Sequence, residues 1–97
     1  MEFRRPFDAQ QREAAKASYR AFRRHLRTLQ PSVSTATAEE KAALRRYHDL
    51  IQDFARELLT TNAKVDVRRL NDLQAAAIAA GADYQILRAL RALYESD

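Results

Sequence analysis

The sequence has no cysteine, no tryptophan, one glycine (Gly81), two prolines (Pro6 and Pro31) and one methionine in 97 residues. Without cysteine there are no disulfides, no thiolate nucleophiles and no thiolate metal sites, a composition compatible with a reducing cytoplasm, which is the expected location. A single glycine cannot build a glycine-rich phosphate loop, and no serine-centred nucleophile elbow occurs. The opening MEFRRPF lacks the apolar segment of a signal peptide, and no apolar run approaches the roughly 20 residues that span a bilayer. A soluble protein without a membrane partner is expected.

What is abundant favours helix. Ala, Leu, Arg, Gln and Glu dominate, and a hydrophobic content of 46% suffices for one modest core, so a single all-α domain over residues 1–97 is expected. Asp8 and Gln11 form a capping box just after Pro6, starting a helix over about 8–29 whose Ala15, Tyr19, Phe22, Leu26 and Leu29 recur with steps of four and three. Pro31 stops it, and PSVSTA reads as a connecting loop. Thr37 and Glu40 form a second capping box, opening a helix over about 37–61 with the clear seam Leu44, Tyr47, Ile51, Phe54 and Leu58. The short connection makes these two an antiparallel hairpin. A third helix over about 66–80 is expected to bury Val67, Leu70, Leu73, Ala77 and Ala80. Gly81 then closes it in the left-handed region, and Asp83 caps a fourth helix, 83–95, with Ile86, Leu87, Leu90, Leu93 and Tyr94 as its apolar face. The expected architecture is a four-helix domain: a long α-hairpin plus a shorter helical pair.

The stretch AAAIAAGADYQILRAL, residues 75–90, resembles the helix-turn-helix of bacterial and phage DNA-binding regulators. Ala77 stands four positions before the glycine, and Leu87 and Leu90 stand six and nine after it, where that family places small and apolar residues. The resemblance implies a recognition helix capped by Asp83, offering Tyr84, Gln85, Arg88 and Arg91 to DNA. Charge argues the other way. Residues 66–97 hold four basic against five acidic residues, a net of −1, whereas phosphate contacts dominate DNA affinity.

The positive charge lies elsewhere. Residues 1–30 carry eight Arg and Lys against three Asp and Glu, a net of +5. Arg12, Lys16, Arg20, Arg23 and Arg27 are spaced by four, four, three and four, so they form one basic ridge beside the apolar seam, with Arg24 next to it. Asp49, Asp53 and Glu57 repeat every four residues on the second helix and are candidates to pair with Arg12, Lys16 and Arg20. Arg23, Arg24 and Arg27 have fewer acids within reach. Phe3 and Phe7 either join this surface or fold back over the end of the bundle.

Catalysis has little to work with. His25 sits among cations in RRHLR, His48 lies beside a seam in RRYHDLI, and neither has a histidine or carboxylate three or four residues away to share a metal. No enzyme, metal site or cofactor is expected. The expected function is that of a small helical protein binding an acidic surface of a protein or nucleoprotein complex through the basic face of helix 1. Regulators, adaptors and the compact inhibitors of phages and mobile elements, such as anti-defence proteins, act in this way. Two alternatives are a DNA-binding regulator and a homodimeric assembly subunit, the latter using a leftover apolar seam on helix 2 such as Leu50 and Leu59.

Overall fold

A computed structural model describes residues 9–59 and 67–95, and all described elements are helical. Helix α1 spans Ala9–Leu29, a 3-10 helix spans Gln30–Thr35, α2 spans Ala38–Leu58 and α3 spans Val67–Glu95. The expected box at Asp8, the fate of Phe3 and Phe7, and the expected helix start at Asp66 lie outside the described residues.

Helix α2 is the central element. Its steps of three and four bury Leu44, Tyr47, Ile51, Phe54 and Leu58, as its seam dictates. On one side Phe22 and Leu29 of α1 are buried, with Ala15, Tyr19 and Leu26 half-covered. On the other, Leu70, Leu73, Ala77, Ala80 and Tyr84 of α3 are buried, and the α2–α3 contact is the most extensive in the fold. Two clusters form the core: Phe22, Leu44, Tyr47, Ile51, Ala77, Ala80 and Tyr84 at one end, and Phe54, Leu58, Leu70 and Leu73 at the other. The Phe22 ring joins them edge-on, 6.3 Å from Tyr47 and 5.8 Å from Phe54 between centroids.

The link between α1 and α2 is more ordered than a loop. Pro31 occupies the first turn of the 3-10 helix, where its missing N–H costs nothing and its fixed φ fits. Ser32 Oγ donates to the Leu29 carbonyl at 2.7 Å and Thr35 Oγ1 to the Ser32 carbonyl at 3.1 Å, so side chains satisfy groups that a tight helix end leaves open.

The main departure from expectation is at Gly81. No left-handed residue ends a helix there: Gly81 has no positive φ, and α3 runs 29 residues without interruption, about 43 Å at 1.5 Å per residue. The two expected short helices are one, and three α-helices are present among the described residues. Burial explains this, because Ala77, Ala80, Tyr84, Arg88 and Arg91 continue a single face against α2 and the 3-10 segment, and a bend at Gly81 would split it. Nor does close approach demand the glycine. A Cβ there would stand 3.4 Å from Tyr47 Cε1 and 3.5 Å from His25 Cε1, ordinary contact distances. Since glycine inside a helix costs about 1 kcal/mol relative to alanine, Gly81→Ala should raise the melting temperature followed by circular dichroism by about 4 °C. A fall would mean that the left-handed turn forms after all.

Candidate functional site

The ridge on α1 forms as its spacing requires, and most of it is unspent. Arg20, Arg23, Arg24 and Arg27 are exposed, Arg12 and Lys16 half-covered. Lys16 lies 4.0 Å from Glu13 on its own helix, and the Arg23 guanidinium sits 5.7 Å from the Tyr19 ring centroid. Arg12, Arg20, Arg24 and Arg27 make no ion pair among the described residues. The interhelical pairs expected from α2 do not form: Asp49 stands 3.7 Å from His48, Asp53 lies 3.4 Å from Arg56, and Glu57 lies 3.4 Å from Arg69 of α3. An exposed pair contributes about 0–1 kcal/mol, too little to draw these acids toward α1 when other basic groups stand within reach.

Three of the four residues assigned to DNA reading are turned inward. Tyr84 is 1% exposed, and since Ser32 Oγ donates to Leu29, the Tyr84 hydroxyl donates to Ser32 at 2.8 Å. Arg88 Nη1 stands 3.5 Å from Glu40 Oε2, and Arg91 Nε lies 3.2 Å from Glu40 Oε1. Arg88 also donates to the Ser32 carbonyl and Thr35 Oγ1 at 3.4 Å, and Arg91 to the Thr35 carbonyl. Gln85 alone of the four is exposed. Without a turn at Gly81 and with both arginines committed to Glu40, residues 73–92 form a structural strut.

Glu40 is the centre of that strut. Its backbone N–H caps onto Thr37 Oγ1 at 3.2 Å, as the box demands, and its carboxylate Oε1 accepts from the Thr37 hydroxyl at 3.3 Å instead of from the Thr37 N–H. It turns toward the two arginines and is 1% exposed, with Oε2 buried and lacking a hydrogen bond. A signal for this was present: continuing the α3 core period from Ala77, Ala80 and Tyr84 by steps of four and three lands on Arg88 and Arg91. Charged residues on a core-facing stripe demand a buried countercharge.

His25 has a partner that its sequence surroundings did not suggest. Its Nδ1 lies 3.0 Å from the Tyr47 hydroxyl, which donates to the Phe22 carbonyl at 3.4 Å. The hydroxyl has one proton, so the arrangement is satisfied when Nδ1–H donates to Tyr47. Burial pushes the Tyr47 hydroxyl above its ordinary value of 10.0, keeping it a donor across the neutral range. His48 is exposed beside Asp49, and no group of three or more His, Cys, Asp or Glu is placed to hold a metal among the described residues.

The apolar surface is also placed differently from expectation. Leu50 is half-buried against both core clusters and Leu59 is exposed in the turn after α2, so no continuous apolar seam is left open on α2 itself. The open apolar face belongs to α3, where Ile86, Leu90, Leu93 and Tyr94, expected to be packed, are exposed and Leu87 is half-covered. No helix among the described residues is long and apolar enough to cross a membrane. Comparison with family models, with curated proteins and with solved structures gave no match. The molecule is thus defined by its architecture: an all-α protein with a basic flank on α1 and an apolar flank on α3.

Proposed function

We propose that this chain is a non-enzymatic helical binding protein, acting by stoichiometric occupation of an acidic surface on a protein or nucleoprotein partner. A small regulator, adaptor or inhibitor, including those of the anti-defence type, works in this manner. The observation that carries the reading is that Arg20, Arg24 and Arg27 are exposed without an ion pair among the described residues, on a rigid helix whose opposite face is fixed in the core. Guanidinium groups held this way offer forked, charge-assisted hydrogen bonds to carboxylates or phosphates and steer association at long range.

The test reverses charge without touching the core. Arg20→Glu combined with Arg27→Glu should lower affinity at least about 10-fold for a partner recovered on the immobilised parent chain, with helicity and melting nearly unchanged. Retained binding by the double variant overturns the reading. Titration with random-sequence duplex DNA at two salt concentrations separates the partner classes: affinity that falls steeply with salt identifies nucleic acid, and no binding at low salt identifies protein.

A further inference from the structure

Over residues 75–94 helix α3 carries apolar side chains on its outer as well as its inner face, a pattern that belongs to a helix covered on more than one side. Its inner face packs on α2, yet on its outer face Ile78, Ile86, Leu90, Leu93 and Tyr94 are 49–85% exposed. Ala75, Ala79, Ala82 and Ala89 lie exposed among them. Between Ala75 and Tyr94 only Asp83, Arg88 and Arg91 are charged, and both arginines face Glu40, leaving Asp83 as the one outward charge. At the 150–250 Å² scale of a large side chain, the five big residues present roughly 600 Å² of apolar surface. That is the upper end for the largest patch on a monomer, and with the alanines it approaches the roughly 800 Å² each partner contributes to a stable interface.

We infer that the occupant is a second copy of this chain, docked antiparallel through α3 about a two-fold axis near residue 84. The outer face follows a 4-3-4-3-4 spacing: 75, 79, 82, 86, 89 and 93. Residues 75, 82 and 89 are all alanine, while 79, 86 and 93 are Ala, Ile and Leu. Laid antiparallel about residue 84, each large side chain meets a small one: Leu93 against Ala75 of the second copy, Ile86 against Ala82, with Ala79 against Ala89 between them. An antiparallel two-fold brings like flanks together, so Ile78 meets Ala92 and Leu90 meets Ala76 of the second copy, while Asp83 comes beside its own copy near the axis. Small residues opposite large ones are what lets two helices close to the short end of the usual 8–10 Å separation. The face is therefore complementary to itself, and it carries no basic group to attract an anionic partner. This assembly is independent of the ridge on α1, which it leaves free in each copy.

Light scattering and sedimentation of the full chain across a concentration series test it. The parent is expected to be a dimer at roughly 100 µM and to melt at a concentration-dependent temperature. Ile86→Glu with Leu93→Glu, both at exposed positions, should raise the dimer dissociation constant at least about 100-fold, with helicity retained in the monomer. A parent that stays monomeric at that concentration, or a dimer that survives the two glutamates, overturns the inference. Register is read separately. In this cysteine-free chain, Ala82→Cys with Ile86→Cys should cross-link between copies under mild oxidation. Ala75→Cys alone should not, because its two copies lie about 27 Å apart along the antiparallel pair. Cross-linking through residue 75 instead would overturn the antiparallel arrangement.

Discussion

Phe54→Ala is expected to lower the unfolding free energy by about 3–5 kcal/mol. The residue is 1% exposed and belongs to the cluster of Leu58, Leu70 and Leu73, while its ring stands edge-on to Phe22 of the other cluster at 5.8 Å and 83°. It therefore ties α2 to α3 and, through Phe22, to α1. Three terms add on truncation: the transfer free energy of the ring, the space left behind, and an edge-to-face contact of about 0.5–1.5 kcal/mol. One term is moderated. Phe54 also lines an open cleft of ≈ 340 Å³ between α1 and α3, with Ala14, Ser18, Asn71 and Gln74 around it, so water can enter the enlarged space and no sealed void results. Since small domains hold about 5–15 kcal/mol in total, the variant should unfold at a markedly lower urea midpoint with an unchanged slope. A loss under about 1 kcal/mol would show that Phe54 does not join the two clusters.

Periodicity was a sound guide where one helix face meets one neighbour. All five seam residues of α2 are buried, as are Leu70, Leu73, Ala77 and Ala80 of α3, because a three-four repeat records which side is dry whatever lies opposite. The all-α class followed from composition for the same local reason. The continuity of α3 through Gly81 was not legible, since a lone glycine followed by Ala-Asp reads equally as a left-handed cap, and only the backbone of the folded chain, with no positive φ there, separates the two. Splitting α3 there had a second consequence. It made Ile86, Leu90 and Leu93 the inner face of a short helix, whereas on the continuous helix the inner positions are Tyr84, Arg88 and Arg91 and the leucines turn outward. The ridge on α1 was legible because it depends on spacing within one helix. Its lack of partners on α2 was not, because Asp49, Asp53 and Glu57 lie beside His48, Arg56 and Arg69 instead.

Glu40→Ala should cost about 3 kcal/mol, close to the penalty for removing one member of a buried ionic cluster. The carboxylate is almost wholly covered, whereas the Arg88 and Arg91 side chains keep 30% and 22% of their exposure. Truncation therefore strands two guanidinium groups that retain some water, which keeps the loss toward the lower end of that range. It also unties the 3-10 segment, since Arg88 and Arg91 reach Ser32 and Thr35 only while Glu40 holds them against α2. Glu40→Gln separates charge from shape. It preserves the size of the side chain and the Thr37 cap, which is made by the Glu40 backbone N–H, so any remaining loss belongs to the missing charge. Replacing the whole cluster, Glu40→Met with Arg88→Leu and Arg91→Leu, removes the uncompensated charges together with the orphaned Oε2. If desolvation dominates, this triple variant should be more stable than Glu40→Ala alone, and denaturant midpoints measured side by side decide it. A triple variant less stable than the single one would show that the arginines hold the 3-10 segment chiefly through their bonds to Ser32 and Thr35. Glu40 would then be needed as their anchor and not merely as a charge to be neutralised.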